Sequence, residues 1–173
     1  MAAGRRVLDL FCYTGGFALA AARGGARTVL GVDLDEAAIA LAAENARLNG
    51  LSGVDFEHAD AFDVLRRKPP ADLIVLDPPK LAAHRRELGR ARSKSVDLNT
   101  LALAALPPAG LLFTFSCTGL WGAEDLAGHV REAARRARRS VRILRVTGQP
   151  PDHPVHVECP ESRYLTGLLL SVT

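Results

Sequence analysis

The chain of 173 residues is long enough for one domain with its own hydrophobic core, and we expect residues 1–173 to fold as that single domain. No part of it reads as a secretory signal or as the run of about 18 apolar residues that crosses a membrane, and its three cysteines are widely spaced. These features predict a reduced, cytoplasmic protein that does not enter a membrane.

The net charge is only +3, although 19 of the 22 basic residues are arginine. Arginine suits phosphate recognition, but composition alone identifies no partner.

The first distinctive stretch, residues 7–17, reads VLDLFCYTGGF. It predicts a short apolar strand with an acid, then a loop of small residues that opens a helix running to Arg23. The backbone amides of such a loop and of the helix N-terminus can approach a bound group closely, and nucleotide-like cofactors sit at this place in open α/β sheets. The alternative is that Gly15 and Gly16 serve only a tight turn.

A second predicted strand, Thr28 to Asp33, ends in an acid about 20 residues after the glycines, where sheets of this class bind a ribose. Asp33 is the first candidate for that contact. Asp35 is the alternative, although it also has the position of an N-cap for a helix predicted over residues 36–48. The apolar positions of that helix are predicted to face the core: Ile39, Leu41, Ala42, Ala46 and Leu48.

Two further strands, predicted over residues 54–58 and 73–76, each lead into an acid. After the first of them, Asp60 with Ala61 either borders the far end of the cofactor or, as an N-cap, starts a helix over residues 61–67. The second strand is apolar throughout, which is typical of a fully buried strand.

The buried strand runs directly into Asp77-Pro78-Pro79-Lys80. Prolines cannot donate hydrogen bonds to a sheet, and Pro78 also disfavours helical backbone at Asp77. The strand is therefore expected to end on a stiff backbone with a projecting carboxylate. That carboxylate, or the carbonyls next to it, can accept hydrogen bonds from a planar ring presented from outside.

An arginine-rich segment, residues 81–94, is predicted to be a mobile loop or a short helix. It precedes a helix predicted over residues 97–105 and an apolar strand over residues 111–115. That strand leads directly to Cys117. If the strand lies parallel to and beside the one before Asp77, then Cys117 lies at the same edge and becomes a candidate nucleophile. The alternative for such a cysteine is a small buried hydrophobe.

The remaining predicted elements are a helix over residues 123–139 and strands over residues 141–146 and 164–172. The loop between these two strands contains His153 and His156. Neither histidine has partners at metal-ligand spacing, so the sequence predicts no metal site.

Four motifs now stand in one order: DLFCYTGGF, VDLDEAAIALAAENARLNGL, DLIVLDPPK and LLFTFSCTGL. Together they resemble a class I S-adenosyl-L-methionine (SAM) dependent methyltransferase. The closing DHPVHVECPESRYLTGLLLSV extends the likeness nearly end to end, to the large-subunit rRNA cytosine-C5 methyltransferase I family. The resemblance implies a Rossmann-like α/β fold with helices on both faces of a seven-stranded, mostly parallel sheet. Its strand order would be 3-2-1-4-5-7-6, with the last strand antiparallel.

The resemblance also assigns roles to residues. It places the methionine end of SAM on the segment from Asp9 to Gly16, the ribose on Asp33 and the adenine on Asp60 with Ala61. The cofactor-binding residues that it implies are Asp9, Phe11, Tyr13, Thr14, Gly15, Gly16, Asp33, Leu34, Asp60, Ala61 and Asp77. The implied substrate-binding residues, which receive a flipped base, are Pro78, Pro79 and Lys80. The implied catalytic residues are Cys117, as the nucleophile, and Asp77.

The implied reaction is methylation of carbon 5 of a cytosine in rRNA, so RNA is the expected partner. Two alternatives stay open: an RNA guanine N-methyltransferase, which needs no thiol, and a non-catalytic SAM-binding module.

Members of the family carry a PUA domain before the catalytic domain, which leaves open a homodimer or a need for a separate RNA-binding region. They also have an aromatic-lysine pair where this chain has Ser95-Val96, and Arg92 or Lys94 could replace that contact. The sequence does not decide whether residues 85–94 contact RNA.

Overall fold

The computed structural model describes residues 1–173, which form seven strands and five α-helices. The strands are β1 (Arg6–Leu10), β2 (Thr28–Asp33), β3 (Val54–His58), β4 (Leu73–Leu76), β5 (Leu111–Ser116), β6 (Val141–Thr147) and β7 (Thr166–Val172). The helices are α1 (Gly16–Arg23), α2 (Glu36–Leu48), α3 (Ala61–Arg67), α4 (Leu88–Ala105) and α5 (Ala123–Ala137). Short 3-10 helices cover Arg85–Glu87 and Pro160–Ser162.

All seven strands form one sheet of order β3-β2-β1-β4-β5-β7-β6. β1 to β5 run parallel, and β7 runs antiparallel to both of its neighbours, β5 and β6. The predicted strand order and the antiparallel last strand are confirmed. Since β6 must then run parallel to β5, the carboxyl ends of six strands meet at one edge of the sheet. We call it the carboxyl edge, and the loops after β1, β2, β3, β4 and β5 all emerge there.

The core lies mainly on the face that α3, α4 and α5 cover. Leu8, Leu10, Ile74, Leu76 and Leu112 are fully buried there, and each such side chain contributes about 1.5–3 kcal/mol by leaving water. A smaller cluster packs α1 against the other face. Helices therefore cover both faces, as predicted. None of the helices combines the length and the apolar character that crossing a lipid bilayer requires.

Two helices start at aspartates, Asp35 and Asp60, for each of which the sequence allows an N-cap as one of two alternatives. One oxygen of the Asp35 carboxylate accepts hydrogen bonds from the backbone N–H groups of Ala37 and Ala38, at 2.9 and 3.1 Å. One oxygen of Asp60 accepts from Phe62 and Asp63 in the same way, at 2.8 and 3.2 Å. These bonds satisfy donors that a helix N-terminus otherwise leaves free.

The predicted core face of α2 is wrong in part. Leu41 and Leu48 are 55% and 67% exposed, and the buried positions are Ala38, Ala42 and Ala46. These three alanines are four residues apart, so they form one narrow stripe of small side chains. That stripe lets the helix approach the sheet closely, and the two leucines are thereby turned towards solvent.

The prediction of a mobile loop or a short helix over residues 81–94 is also wrong in part, because the second half of this segment belongs to a long helix. α4 begins at Leu88, nine residues before the predicted start. The reason is that Ala91, Ser95 and Val96 are buried and continue, towards the N-terminus, the face that Leu98 and later residues bury. The two arginines before the helix lie in the 3-10 turn.

Candidate active site

The loop between β1 and α1 holds an unusual backbone conformation. Phe11, Tyr13 and Gly15 all have positive φ, at 63°, 48° and 89°. This region costs a non-glycine residue on the order of 1–3 kcal/mol, so surrounding bonds must hold it. The Tyr13 N–H donates to the Asp33 carboxylate at 2.8 Å, and the Gly15 N–H donates to the Cys12 carbonyl at 2.8 Å. The loop is therefore tied both to itself and to the end of β2.

Glycine is required at the close contact between this loop and β3. A Cβ on Gly15 would lie 3.1 Å from the Phe56 ring and 3.3 Å from the Ala42 Cβ. A Cβ on Gly31, in β2, would lie 2.6 Å from the same ring. The Phe56 ring thus supports the loop from below, and it does so only because both positions lack a side chain. Thr14 is partly exposed and Gly16 is exposed, so the upper side of the loop faces solvent.

Asp9 is completely buried under the loop. One carboxylate oxygen accepts a hydrogen bond from the Ala18 N–H, in the first turns of α1, at 2.8 Å. The other, Oδ1, has no partner in the protein. The pKa of Asp9 is raised to about 7, chiefly by burial and in smaller part by the nearby carboxylates of Asp77 and Asp33, while the hydrogen bond from Ala18 opposes the rise. An orphaned, buried acceptor of this kind is free to bind a donor on a ligand.

Asp33 and Asp35 have different tasks, which separates the two ribose candidates. Asp33 accepts from the Tyr13 N–H with one oxygen and from the Asp35 N–H with the other, at 2.8 and 3.0 Å. Each of its oxygens keeps capacity for another donor. Asp35 uses its side chain to cap α2. Of the two, Asp33 is the carboxylate bound to the glycine loop. Leu34, between them, is 60% exposed.

The predicted adenine neighbours, Asp60 and Ala61, follow β3 at the carboxyl edge. Asp60 is the N-cap of α3, and its Oδ1 makes both capping bonds. Oδ2 makes no hydrogen bond in the protein. Capping and ligand contact are therefore compatible in this side chain, and Ala61 is buried beside it.

Asp77 directly follows β4, beside β1, and its backbone N–H donates to the Leu10 carbonyl at 3.4 Å. Its partly exposed carboxylate has no hydrogen-bond partner in the protein, and burial raises its pKa to about 6. Asp9, Asp33 and Asp77 thus form a group of three carboxylates at the carboxyl edge with little compensating positive charge around them. A cationic ligand would relieve their mutual repulsion.

The structure brings Cys117 and the Asp77 loop together. The half-buried Cys117 thiol donates a weak hydrogen bond to the Pro78 carbonyl, with 3.7 Å between sulfur and oxygen. Burial and then the Asp77 carboxylate raise the pKa of this thiol, and Lys80 partly opposes the rise. Pro79 and Lys80 are exposed. The cysteine is therefore protonated at neutral pH and lies against the loop predicted to receive a base.

A narrow crevice surrounds the thiol and contains residues that sequence reasoning missed. Besides Cys117 and the two prolines, its walls are Leu81, Ser95, Phe115, Ser116, Thr118 and Trp121. Ser95 comes from α4, and its hydroxyl lies 3.2 Å from Nδ1 of the buried His129, on α5. The Trp121 ring meets that histidine edge-on, with 4.6 Å between ring centroids. Sequence reasoning notes Ser95 only as part of the position where the family has an aromatic-lysine pair, and the predicted helix begins after it. It gives no signal for Trp121 or His129.

A second cavity, of about 720 Å³, opens at the same edge between the start of α5 and the loop after β6. Its walls include Gly122, Gln149, His153 and Arg163. His153 pairs with Asp152 at 3.3 Å rather than with another histidine.

A sheet of this strand order, with a glycine loop and unpartnered carboxylates at its carboxyl edge, defines the class of doubly wound α/β proteins that bind a nucleoside cofactor. The sequence matches the S-adenosylmethionine-dependent methyltransferases over residues 1–160. The chain therefore belongs to that family, and its cofactor is SAM.

Comparison with individual proteins shows which members of the family this chain is similar to. The ribosomal RNA large subunit methyltransferase I of Tolumonas auensis is 45% identical over 172 residues, and that of Aeromonas hydrophila is 43% identical over 173. Each alignment covers 96% of this chain but 43% and 44% of the relative, so the chain spans less than half the length of these proteins. Among solved structures, the methyltransferase SMU.776 in complex with SAH is 27% identical with a TM-score of 0.84, over 99% of this chain and 46% of that one. TrmN from Thermus thermophilus is 26% identical with a TM-score of 0.70, over 99% and 45%.

Proposed function

We propose that residues 1–173 form the catalytic domain of an rRNA methyltransferase that methylates carbon 5 of a cytosine, with Cys117 as the nucleophile. The observation that carries this proposal is the position of the Cys117 thiol, 3.7 Å from the Pro78 carbonyl and beside the Asp77 carboxylate. The names of the two rRNA methyltransferase relatives support the substrate class. A guanine N-methyltransferase would give the thiol no chemical task.

The residues at the carboxyl edge fit SAM. The methionine end of SAM carries an ammonium and a sulfonium, and the three carboxylates of Asp9, Asp33 and Asp77 suit such positive charge. We assign the methionine end to the loop from Asp9 to Gly16, the ribose hydroxyls to Asp33 and the adenine to Asp60 with Ala61. When bound, SAM supplies an electrophilic methyl group.

Cytosine needs activation because its carbon 5 is a poor nucleophile. The Cys117 thiol is protonated, so it first gives its proton to a base, a role that we assign to the neighbouring Asp77 carboxylate. The resulting thiolate adds to carbon 6 of the ring and leaves an enamine, in which carbon 5 is nucleophilic enough to accept a methyl group. Loss of the carbon 5 proton to a base then restores the double bond and expels the thiolate. Each catalytic cycle therefore returns Cys117 unchanged.

The Asp77 loop has the groups to hold the ring during this addition. Addition at carbon 6 builds negative charge towards ring nitrogen 3, and a carboxyl whose pKa is about 6 can share a proton with that nitrogen. Pro78 and Pro79 have no N–H, so the loop presents mainly carbonyl acceptors, which match the exocyclic amino group of cytosine. Lys80 completes the exposed side of this subsite.

The test is methyl transfer to unmodified large-subunit rRNA from labelled SAM, with nucleoside analysis of the product. Wild type is compared with Cys117→Ala and with Cys159→Ala, which removes an exposed cysteine as a control. We expect label in 5-methylcytosine from wild type and the control, and none from Cys117→Ala. Full transfer by Cys117→Ala would contradict the mechanism. Label in guanine would favour the N-methyltransferase, and SAM binding without any transfer would favour a non-catalytic module.

A further inference from the structure

Four cations lie in a short stretch directly after the Asp77 loop. We call residues 80–90 the basic segment; its cations are Lys80, Arg85, Arg86 and Arg90. All four side chains are exposed, and none of them forms an ion pair. Arg92 and Arg136, further along this surface, are instead neutralised by Glu132 and Asp97. Unpaired positive charge is therefore concentrated next to the candidate active site.

The basic segment is held in place by packing. Ala82, Ala91 and Trp121 form a small buried cluster, on which the side chains of Leu81 and Leu88 pack. Trp121 belongs to the turn that follows Cys117, and its backbone N–H donates to the Thr118 carbonyl at 2.9 Å. The cluster therefore joins the segment to the loop that carries the nucleophile. The cations keep a defined position relative to the thiol as a result.

The single acid of the segment does not neutralise its arginines. The Glu87 carboxylate accepts hydrogen bonds from the N–H groups of Ala83 and His84, at 2.8 and 3.2 Å. It thus caps the 3-10 turn and leaves Arg85 and Arg86 free to face solvent.

We propose that the basic segment binds the phosphates of a single-stranded RNA and so brings its target base to the Cys117 thiol. This inference rests on the proposed function, because it takes RNA as the substrate. Phosphates along a strand are regularly spaced anions, and exposed arginines without acidic partners are the side chains that bind them best. Lys80 lies close enough to Cys117 to influence the thiol, so the row of cations reaches from the nucleophile to the start of α4. A base extruded from the bound strand would then meet the partly exposed Cys117 thiol beside the Asp77 loop.

The test compares two double variants of equal charge. Arg85→Gln with Arg86→Gln removes two cations of the basic segment. Arg23→Gln with Arg27→Gln removes two exposed arginines without ion pairs at the opposite edge of the sheet. The probe is a fluorescein-labelled single-stranded RNA of mixed sequence, and fluorescence anisotropy gives its Kd across a range of salt concentrations.

We expect the first variant alone to weaken binding. Loss of two phosphate contacts should make the slope of log K against log salt shallower by about 1.4. For proteins that bind equally at 1 M salt, this change of slope corresponds to about a 25-fold loss of affinity at 0.1 M salt. An unchanged slope, an equal loss in the Arg23 and Arg27 variant, or a wild type that does not bind RNA would overturn the proposal. Equal affinity for a polyglutamate of matched charge would also overturn it, because the surface would then bind any polyanion.

Failure of the proposed function has a different signature. If wild type binds RNA through Arg85 and Arg86 but transfers no methyl group to rRNA, the binding surface stands and the function is wrong. If methyl transfer occurs but the double variant at Arg85 and Arg86 has the same salt slope as wild type, the proposed function stands and the proposed binding surface is wrong. SAM affinity, measured by calorimetry on both double variants, should stay within about twofold of wild type because neither pair belongs to the cofactor residues.

Discussion

Replacing Asp9 by asparagine should stabilise the fold and weaken SAM binding. Asp9 is fully buried, and its pKa in the folded chain is about 7, against about 4 in an unfolded chain. Between these two pH values the folded state holds more protons than the unfolded state, so Asp9 makes stability fall as pH rises from about 4 to about 7. At pH 8 the ionised carboxylate therefore costs about 4 kcal/mol relative to a neutral side chain.

Asparagine keeps the shape but has no charge. Its carbonyl oxygen can still accept from the Ala18 N–H, whereas its amide N–H group replaces the orphaned Oδ1 and lacks a partner of its own. That lost pairing costs about 1–2 kcal/mol. We therefore expect Asp9→Asn to gain about 2–3 kcal/mol at pH 8. At pH 5 the wild-type carboxyl costs only about 1.4 kcal/mol, because it is ionised in the unfolded chain but protonated in the folded one, and the lost pairing of the asparagine cancels that gain.

The assay is urea unfolding followed by circular dichroism at pH 5, 6, 7 and 8, on wild type, Asp9→Asn and the exposed-site control Asp55→Asn. A variant that is less stable than wild type at pH 8, or a difference that does not change with pH, would refute the reasoning. Calorimetry on the same proteins should show SAM bound at least about tenfold more weakly by Asp9→Asn. A substitution that raises the free energy of unfolding but weakens SAM binding is the result expected at a residue whose role is to bind the cofactor and not to stabilise the fold.

Three further changes test other parts of the account. Cys117→Ser should lose methyl transfer but bind SAM with unchanged affinity in calorimetry; a transfer rate near that of wild type would contradict the role of the thiol. Gly31→Ala should lower the free energy of unfolding by about 1–3 kcal/mol in urea titrations, because its Cβ would lie 2.6 Å from the Phe56 ring, and a neutral result would show that the ring can move. Iodoacetamide at pH 8, with peptide mass mapping, should modify Cys159 first, Cys117 later and Cys12 last, since burial raises the pKa of Cys12 to about 12; early labelling of Cys12 would contradict its burial.

Local patterns predicted most of the strands and the starts of α2, α3 and α5, but not the start of α4. The bounds of β2 and β4 follow from apolar runs that end at or just before an acid, and Asp35 and Asp60 cap the helices that they precede. Such signals depend on a few neighbouring residues, so no knowledge of the rest of the chain is needed.

Features that depend on distant contacts were missed or wrong. Leu41 is apolar and lies at a helical position, but a neighbouring stripe of alanines meets the sheet instead, and only the packed structure shows which stripe is close. Ser95 and Trp121 line the crevice at Cys117, and the buried His129 contacts both of them. The three residues come from separate parts of the chain, so no local pattern predicts that they meet.

The left-handed Tyr13 could not have been predicted either. Its conformation is fixed by the hydrogen bond that its N–H donates to Asp33, a residue of another strand.

The most direct test of the central claim is a search for the bond between Cys117 and the target base. In RNA that carries 5-fluorocytidine, no proton can leave carbon 5, so the step that expels the thiolate is blocked. Incubation with SAM, nuclease digestion and peptide mass spectrometry should find methylated fluorocytidine attached to the peptide that contains Cys117, and none with Cys117→Ala. Methyl transfer to normal rRNA without any such adduct, or an adduct on another cysteine, would contradict the account.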